Sequence, residues 1–222
     1  MGNIFRWDSR LGQILTKAGN LVLLNVLWII CSLPIITAGA ATAALYYVIF
    51  QMQTNEEDTV FRPFFHAFTK NFKQSTLLWL AILIIAAVLL LDVLYMFIYG
   101  TPTLVGILII VVCAIFLMVQ SHLLPQLARF ETKLKSVVQN ALLLTVLHLP
   151  SSLMMAVLNG MPIVIFLLLP YQFMQWLPLW VGIWFSLVAL INGRMLLKIW
   201  AKHMPNEEKE NETEEEESIA GA

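Results

Sequence analysis

The feature that most constrains this chain is the length of its uncharged apolar runs. From Thr76 to Tyr99 only Asp92 is charged, and from Leu104 to Leu124 there is no Asp, Glu, Lys or Arg. About twenty such residues in a helix match the roughly 30 Å hydrocarbon core of a bilayer. Hydrophobic residues make up 59% of the 222 and charged residues 12%, against about 45–50% and 25% in soluble domains. This balance excludes a soluble globular enzyme, a disordered chain and a nucleic-acid binder with a basic face. It leaves an all-α, polytopic helical membrane protein, because a segment in lipid has to satisfy its backbone polar groups internally.

The first apolar run, Leu21 to Phe50, is thirty residues where a single span needs about twenty, so it crosses once as a tilted helix, crosses twice or re-enters, and it is broken by Pro34 in SLPIITAG. Proline removes a backbone donor and disfavours helix at the residue before it. The run is therefore one kinked helix or two helices meeting near Pro34. The second of these, Ala38–Met52, places Gly39 with Ala43 and Ala40 with Ala44, small residues that let helix backbones approach. Further spans are expected over Thr76–Tyr99, Leu104–Leu124 (ended by Pro125), Val137–Leu158 (ended by Asn159-Gly160-Met161-Pro162) and Leu179–Trp200. A proline-punctuated stretch, Ile163–Leu177, precedes the last.

Residues 1–20 carry Arg6, Asp8, Arg10 and Lys17, unlike a cleavable signal, and read as an amphipathic cytoplasmic N-terminus or, equally, as the start of the first span. The membrane domain is expected over 21–200. Residues 201–222 are expected to form a disordered acidic tail, since 205–222 hold eight glutamates and one lysine. The formal charge of −1 thus hides a basic body and an acidic end.

Basic residues set the threading, because cytoplasmic loops are enriched in Lys and Arg. They fall at the N-terminus, at 62–73, at 129–135 and from Arg194 onward, while the turns at 34, 100–103 and 159–162 have none. Six membrane segments in three hairpins, the first pair short or re-entrant, put every cation and both termini in the cytoplasm.

Within the spans, Asp92 is the only acid, and a lone carboxylate there is unfavourable unless paired or hydrated. His148 precedes Pro150, Ser151 and Ser152 in a polar kink. Asp92, His148, Asn25 and Asn192 are the candidate intramembrane polar site; packing and interhelical hydrogen bonding are the plainer roles for each. His122, with Gln120 and Ser121, is expected at the interfacial end of its span. Trp176, Trp180 and Trp184 recur at steps of four, as a membrane anchor and packing face or as a carbohydrate-stacking platform. The segment 61–74 carries five phenylalanines on one helical face, suited to the inner leaflet or a partner. Lys70, Lys73 and the 129–136 loop would attract anionic headgroups. The sequence holds no HExxH, Walker A loop, GxGxxG or Cys/His metal spacing, so no catalytic residue, cofactor or metal site is expected.

Four stretches together resemble the YesL-like family of bacterial integral membrane proteins, a family without an established activity. They are NLVLLNVLWIICSLPIITAGAATAALYYVI at 20–49, FFHAFTKNFKQSTLLWL at 64–80, LPQLARFETKLKSVVQNALLLTVLHLPSSL at 124–153 and ALINGRMLLKIW at 189–200. Ala40 stands where many members carry a proline after the glycine. The resemblance implies a bacterial plasma-membrane protein, non-enzymatic, that accompanies ABC-type carbohydrate uptake or its regulation. Its expected partners are the lipid bilayer and ABC-type sugar importer subunits, with no nucleic acid. The alternative is a small homo-oligomeric transporter or channel with Asp92 and His148 lining the path.

Overall fold

The computed structural model describes residues 10–54, 59–100, 102–130 and 132–203. Helices follow one another throughout, with no strand among the described residues: α1 (Arg10–Ser32), a 3-10 turn (Ile35–Thr37), α2 (Ala38–Thr54), α3 (Phe61–Lys70), α4 (Phe72–Tyr99), α5 (Thr103–Arg129), α6 (Leu134–Leu147), α7 (Leu149–Leu168), α8 (Pro170–Gln175), α9 (Leu177–Leu179), a π-helical turn (Trp180–Trp184) and α10 (Phe185–His203). Six segments are long and apolar enough to cross a membrane. The chain is an all-α, polytopic membrane protein.

The break at Pro34 makes a hairpin. Pro34 is extended, and the Thr37 hydroxyl donates back to the Cys31 carbonyl at 2.6 Å, satisfying a group that the end of α1 exposes. The Trp28 indole N–H donates to Thr42 Oγ1 at 3.0 Å and ties α1 to α2. Residues 21–50 are thus two packed helices, and residues 10–20 continue into the first of them without a break.

The hairpin tip packs low on α4. Trp79 Nε1 donates to the Ile35 carbonyl at 2.7 Å. At Gly39 a Cβ would stand 2.3 Å from Trp79 Cβ and 2.7 Å from the Ser75 carbonyl oxygen, so only glycine permits this approach. Twenty residues of α4, about 30 Å at 1.5 Å each, continue past Trp79 to Tyr99. Gly100, in the left-handed region at φ 69°, then turns the chain into α5.

The cations gather at the opposite end of α4 from Tyr99. Lys17, Arg194 and Lys198 border one cleft, and Lys70, Lys73 and Lys133 another. Rings knit this end together: Trp200 lies 5.3 Å from Phe50 and 5.0 Å from Phe130, centre to centre. The described ends of the chain therefore lie on one side of the bundle. Arg6 and the acidic tail from 204 onward lie outside the described residues.

Three expectations are corrected. Pro125 does not end its span; α5 runs through it to Arg129. Asn159-Gly160-Met161-Pro162 is no turn either, for α7 runs through it to Leu168. A proline costs one hydrogen bond, but leaving the helix where water does not reach, as at buried Pro125, strands several backbone groups, so the helix continues. The break comes instead at His148, two residues before Pro150, and the chain reverses through α8. Finally, the phenylalanines of α3 do not all face outward. Phe64 is fully buried in the core that also holds α2, with Val60 and Ala67, while Phe61, Phe65 and Phe72 stay exposed.

Candidate functional site

The small residues of α2 make it the hub of the bundle. Ala40, Ala41, Ala43 and Ala44 are completely buried, and α2 packs against α1, α3, α4, α5 and α10. Where side chains this short meet indoles from neighbouring helices, the packing leaves a gap of about 230 Å³. All six candidate spans border it. Trp28 comes from α1, Thr42 and Tyr46 from α2, and Trp79 from α4. Gln120 and Ser121 come from α5, Asn159 from α7, and Trp184 and Phe185 from the start of the last span. No Asp, Glu, Lys or Arg is among its lining residues.

A hydrogen-bond network borders this cavity. Asn192, fully buried, donates through Nδ2 to the Tyr46 hydroxyl at 3.2 Å and to Asn159 Oδ1 at 3.2 Å. Asn159 Nδ2 donates to Ser121 Oγ at 3.1 Å, and Ser121 donates to the Leu117 carbonyl at 2.8 Å. Four helices, α2, α5, α7 and α10, are joined through neutral groups. Asn192 Oδ1 is left without a partner among the described residues.

Asn25 does something different. Its Nδ2 donates to the Val181 carbonyl, and its Oδ1 accepts from the Ser186 backbone N–H at 3.0 Å. The two backbone groups are those that a π-helical turn would pair directly. The Asn25 amide is inserted between them, so a side chain of α1 completes the backbone ladder of the last span. This is a known cause of helix distortion, and it explains why the wide turn at Trp180–Trp184 persists. Trp180 is buried beside Trp184, their centroids 4.5 Å apart, whereas Trp176 is exposed. The three tryptophans are thus not one platform.

Asn25 and Asn192 are therefore both core residues. Asp92 and His148 are placed elsewhere and apart. Asp92 is exposed on α4, thirteen residues and about 20 Å beyond Trp79 toward Tyr99. His148 is half-buried at the α6–α7 junction, where its carbonyl accepts from the Ser152 hydroxyl at 3.0 Å. The same hydroxyl lies 2.8 Å from His122 Nε2. Because Ser152 Oγ donates to the His148 carbonyl, it accepts from His122, which places the proton on Nε2 and leaves Nδ1 as a buried acceptor without a partner among the described residues. His122 is fully buried rather than interfacial.

Sequence reasoning missed His122, Asn159 and Tyr46 as members of the buried polar groups. Asn159 precedes glycine and reads as a turn residue. Gln120-Ser121-His122 reads as the frayed end of a span only if Pro125 stops the helix. The available signal was Ser121 and Asn159 as polar residues in facing apolar runs, which membrane helices tend to pair.

Among known families, residues 21–93, about a third of the chain, match the one described as "Protein of unknown function, DUF624". The match spans most of α1, all of α2 and α3 and most of α4. It thus includes Asn25, Trp28, Gly39, Thr42, Tyr46 and Trp79. No curated protein and no solved structure matches the chain.

Proposed function

We propose that this chain is a YesL-like, non-enzymatic protein of the bacterial plasma membrane that accompanies ABC-type carbohydrate importers, with both termini cytoplasmic. The observation that carries this reading is the use made of the intramembrane amides. Asn25, Asn159 and Asn192 join helices to one another, which suits a rigid membrane module more than a moving carrier. The resemblance over 20–49, 64–80, 124–153 and 189–200 supplies the link to sugar uptake, and the match over 21–93 to a family of unknown function is consistent with a YesL-like chain without bearing on that link. The gathering of cations at the end where the described termini lie supports the orientation.

The test is purification of the tagged full chain from its native membrane in mild detergent. Recovery of permease subunits of an ABC-type importer, with no solute flux from the chain alone in proteoliposomes, is the expected result. One observation favours the second reading, a homo-oligomeric transporter or channel: Asp92 sits on a lipid-facing stretch where only another subunit would pair it. Flux from the chain alone, abolished by Asp92→Asn, would establish that reading instead.

A further inference from the structure

The cavity where the six spans meet has a chemistry of its own. We propose that it is a binding site for one uncharged, hydroxyl-bearing ring, a single sugar unit presented either free or as the headgroup of a neutral glycolipid. This inference rests on the cavity alone and stands whether or not the chain accompanies an importer.

Three exclusions lead to it. An ion or phosphate group would lose its water there and meet no opposite charge, since no charged side chain lines the space. A purely apolar occupant, such as an acyl chain, would cover polar groups that still have capacity. The Tyr46 hydroxyl accepts from Asn192 and keeps its own proton to donate. The Gln120 amide, at the cavity wall, is drawn on by none of the bonds above and offers both a donor and an acceptor. Just behind them, buried Asn192 Oδ1 lacks a partner, and such groups carry a penalty until satisfied. The space is too small to take a large ligand whole: about 230 Å³ lies below the usual range of drug-sized sites, roughly 300–1,000 Å³.

What remains is small, neutral, rich in hydroxyls and flat enough to lie on indole rings. Trp28, Trp79 and Trp184 supply those rings from three separate spans. Two are held in place before any ligand arrives, Trp28 by Thr42 and Trp79 by the Ile35 carbonyl. Fixed walls reduce the entropy lost on binding. The C–H face of a pyranose can cover an aromatic ring while its hydroxyls reach Tyr46 and Gln120.

The test uses the full chain in phosphatidylcholine nanodiscs, prepared without glycoside detergents, and reads tryptophan fluorescence. Methyl β-glucopyranoside is titrated as the free source, and monoglucosyl diacylglycerol is built into the discs as the lipid source. A saturable change with either is expected. A response to the free glycoside assigns a solute site, and a response to the glycolipid alone assigns a headgroup site. Gln120→Leu should weaken binding at least tenfold while keeping the wild-type thermal midpoint, and Tyr46→Phe should weaken it less. No saturable change with either source would overturn the proposal. So would an equal response to phosphatidylglycerol, or wild-type affinity in both variants.

Discussion

Helix α2 and the far halves of α4 and α5 are built on opposite plans. Over the most apolar eighteen-residue stretch of each, 61% is buried in the span containing α2 against 11% in the α4 span, although the latter has twice the mean hydropathy. In a water-soluble protein the greasier helix would be the inner one. Here the solvent is lipid, as apolar as leucine, so hydrophobicity places a helix in the membrane without placing it in the core. Position within the bundle follows shape and hydrogen bonding. Helix α2 is central because alanine and Gly39 let five neighbours come close. The outer parts of α4 and α5 carry Ile84, Leu91, Phe97, Leu104 and Leu108 to the surface, a face that lipid can cover.

The contrast is sharpest at the glycines. Gly39→Val should have the largest effect, because its Cβ would collide with Trp79 and the Ser75 backbone. A loss of about 3 kcal/mol is expected in denaturant unfolding of the detergent-solubilised protein, with a shift in tryptophan emission. Gly160→Ala, where nothing lies within 4 Å of the new Cβ, should unfold like the wild type. Equal effects at the two sites would dissolve the distinction between hub and periphery.

Asn25→Leu comes next. It leaves the Val181 carbonyl and the Ser186 N–H without their bridge, at a cost of about 2 kcal/mol. Hydrogen exchange should quicken around 181–186, and an unchanged exchange rate there would show that the π turn holds without α1. The smallest loss is expected at Asp92. On a lipid-facing stretch of α4, Asp92→Leu removes a charge unpaired among the described residues, so it should cost no stability in unfolding and should if anything raise it. A loss as large as that for Asn25 would reveal a partner for the carboxylate and move the far half of α4 into an interface.

Much of this architecture was legible beforehand. Most spans follow from uncharged length, although the expected Val137–Leu158 is split at His148 and the long helix there is Leu149–Leu168; the first hairpin follows from Pro34, the close contact of α2 from Gly39 and its alanines, and the shared flank of cations from their spacing. Ends of helices inside the membrane were less legible. Pro125 and Pro162 were expected to stop helices that in fact run on, because a weak local preference yields where the surroundings cannot solvate a broken backbone. The buried polar groups were half legible: Asn25 and Asn192 stand out as polar residues in apolar runs, but Asn159 and His122 look like residues at helix ends.

Sequence by itself settled that the chain is helical and membrane-spanning, and it raised the expectation of six membrane segments with the cations on one flank. Those properties depend on the contrast between lipid and water, which hydropathy along the chain records directly. Only the tertiary structure decided that Asn25 completes the ladder of α10's span, that Trp79 grips the first hairpin low on α4, and that six spans border one cavity lined by no charged side chain. Lipid-facing and protein-facing surfaces are equally apolar, so their choice of neighbour leaves no periodic trace in the sequence.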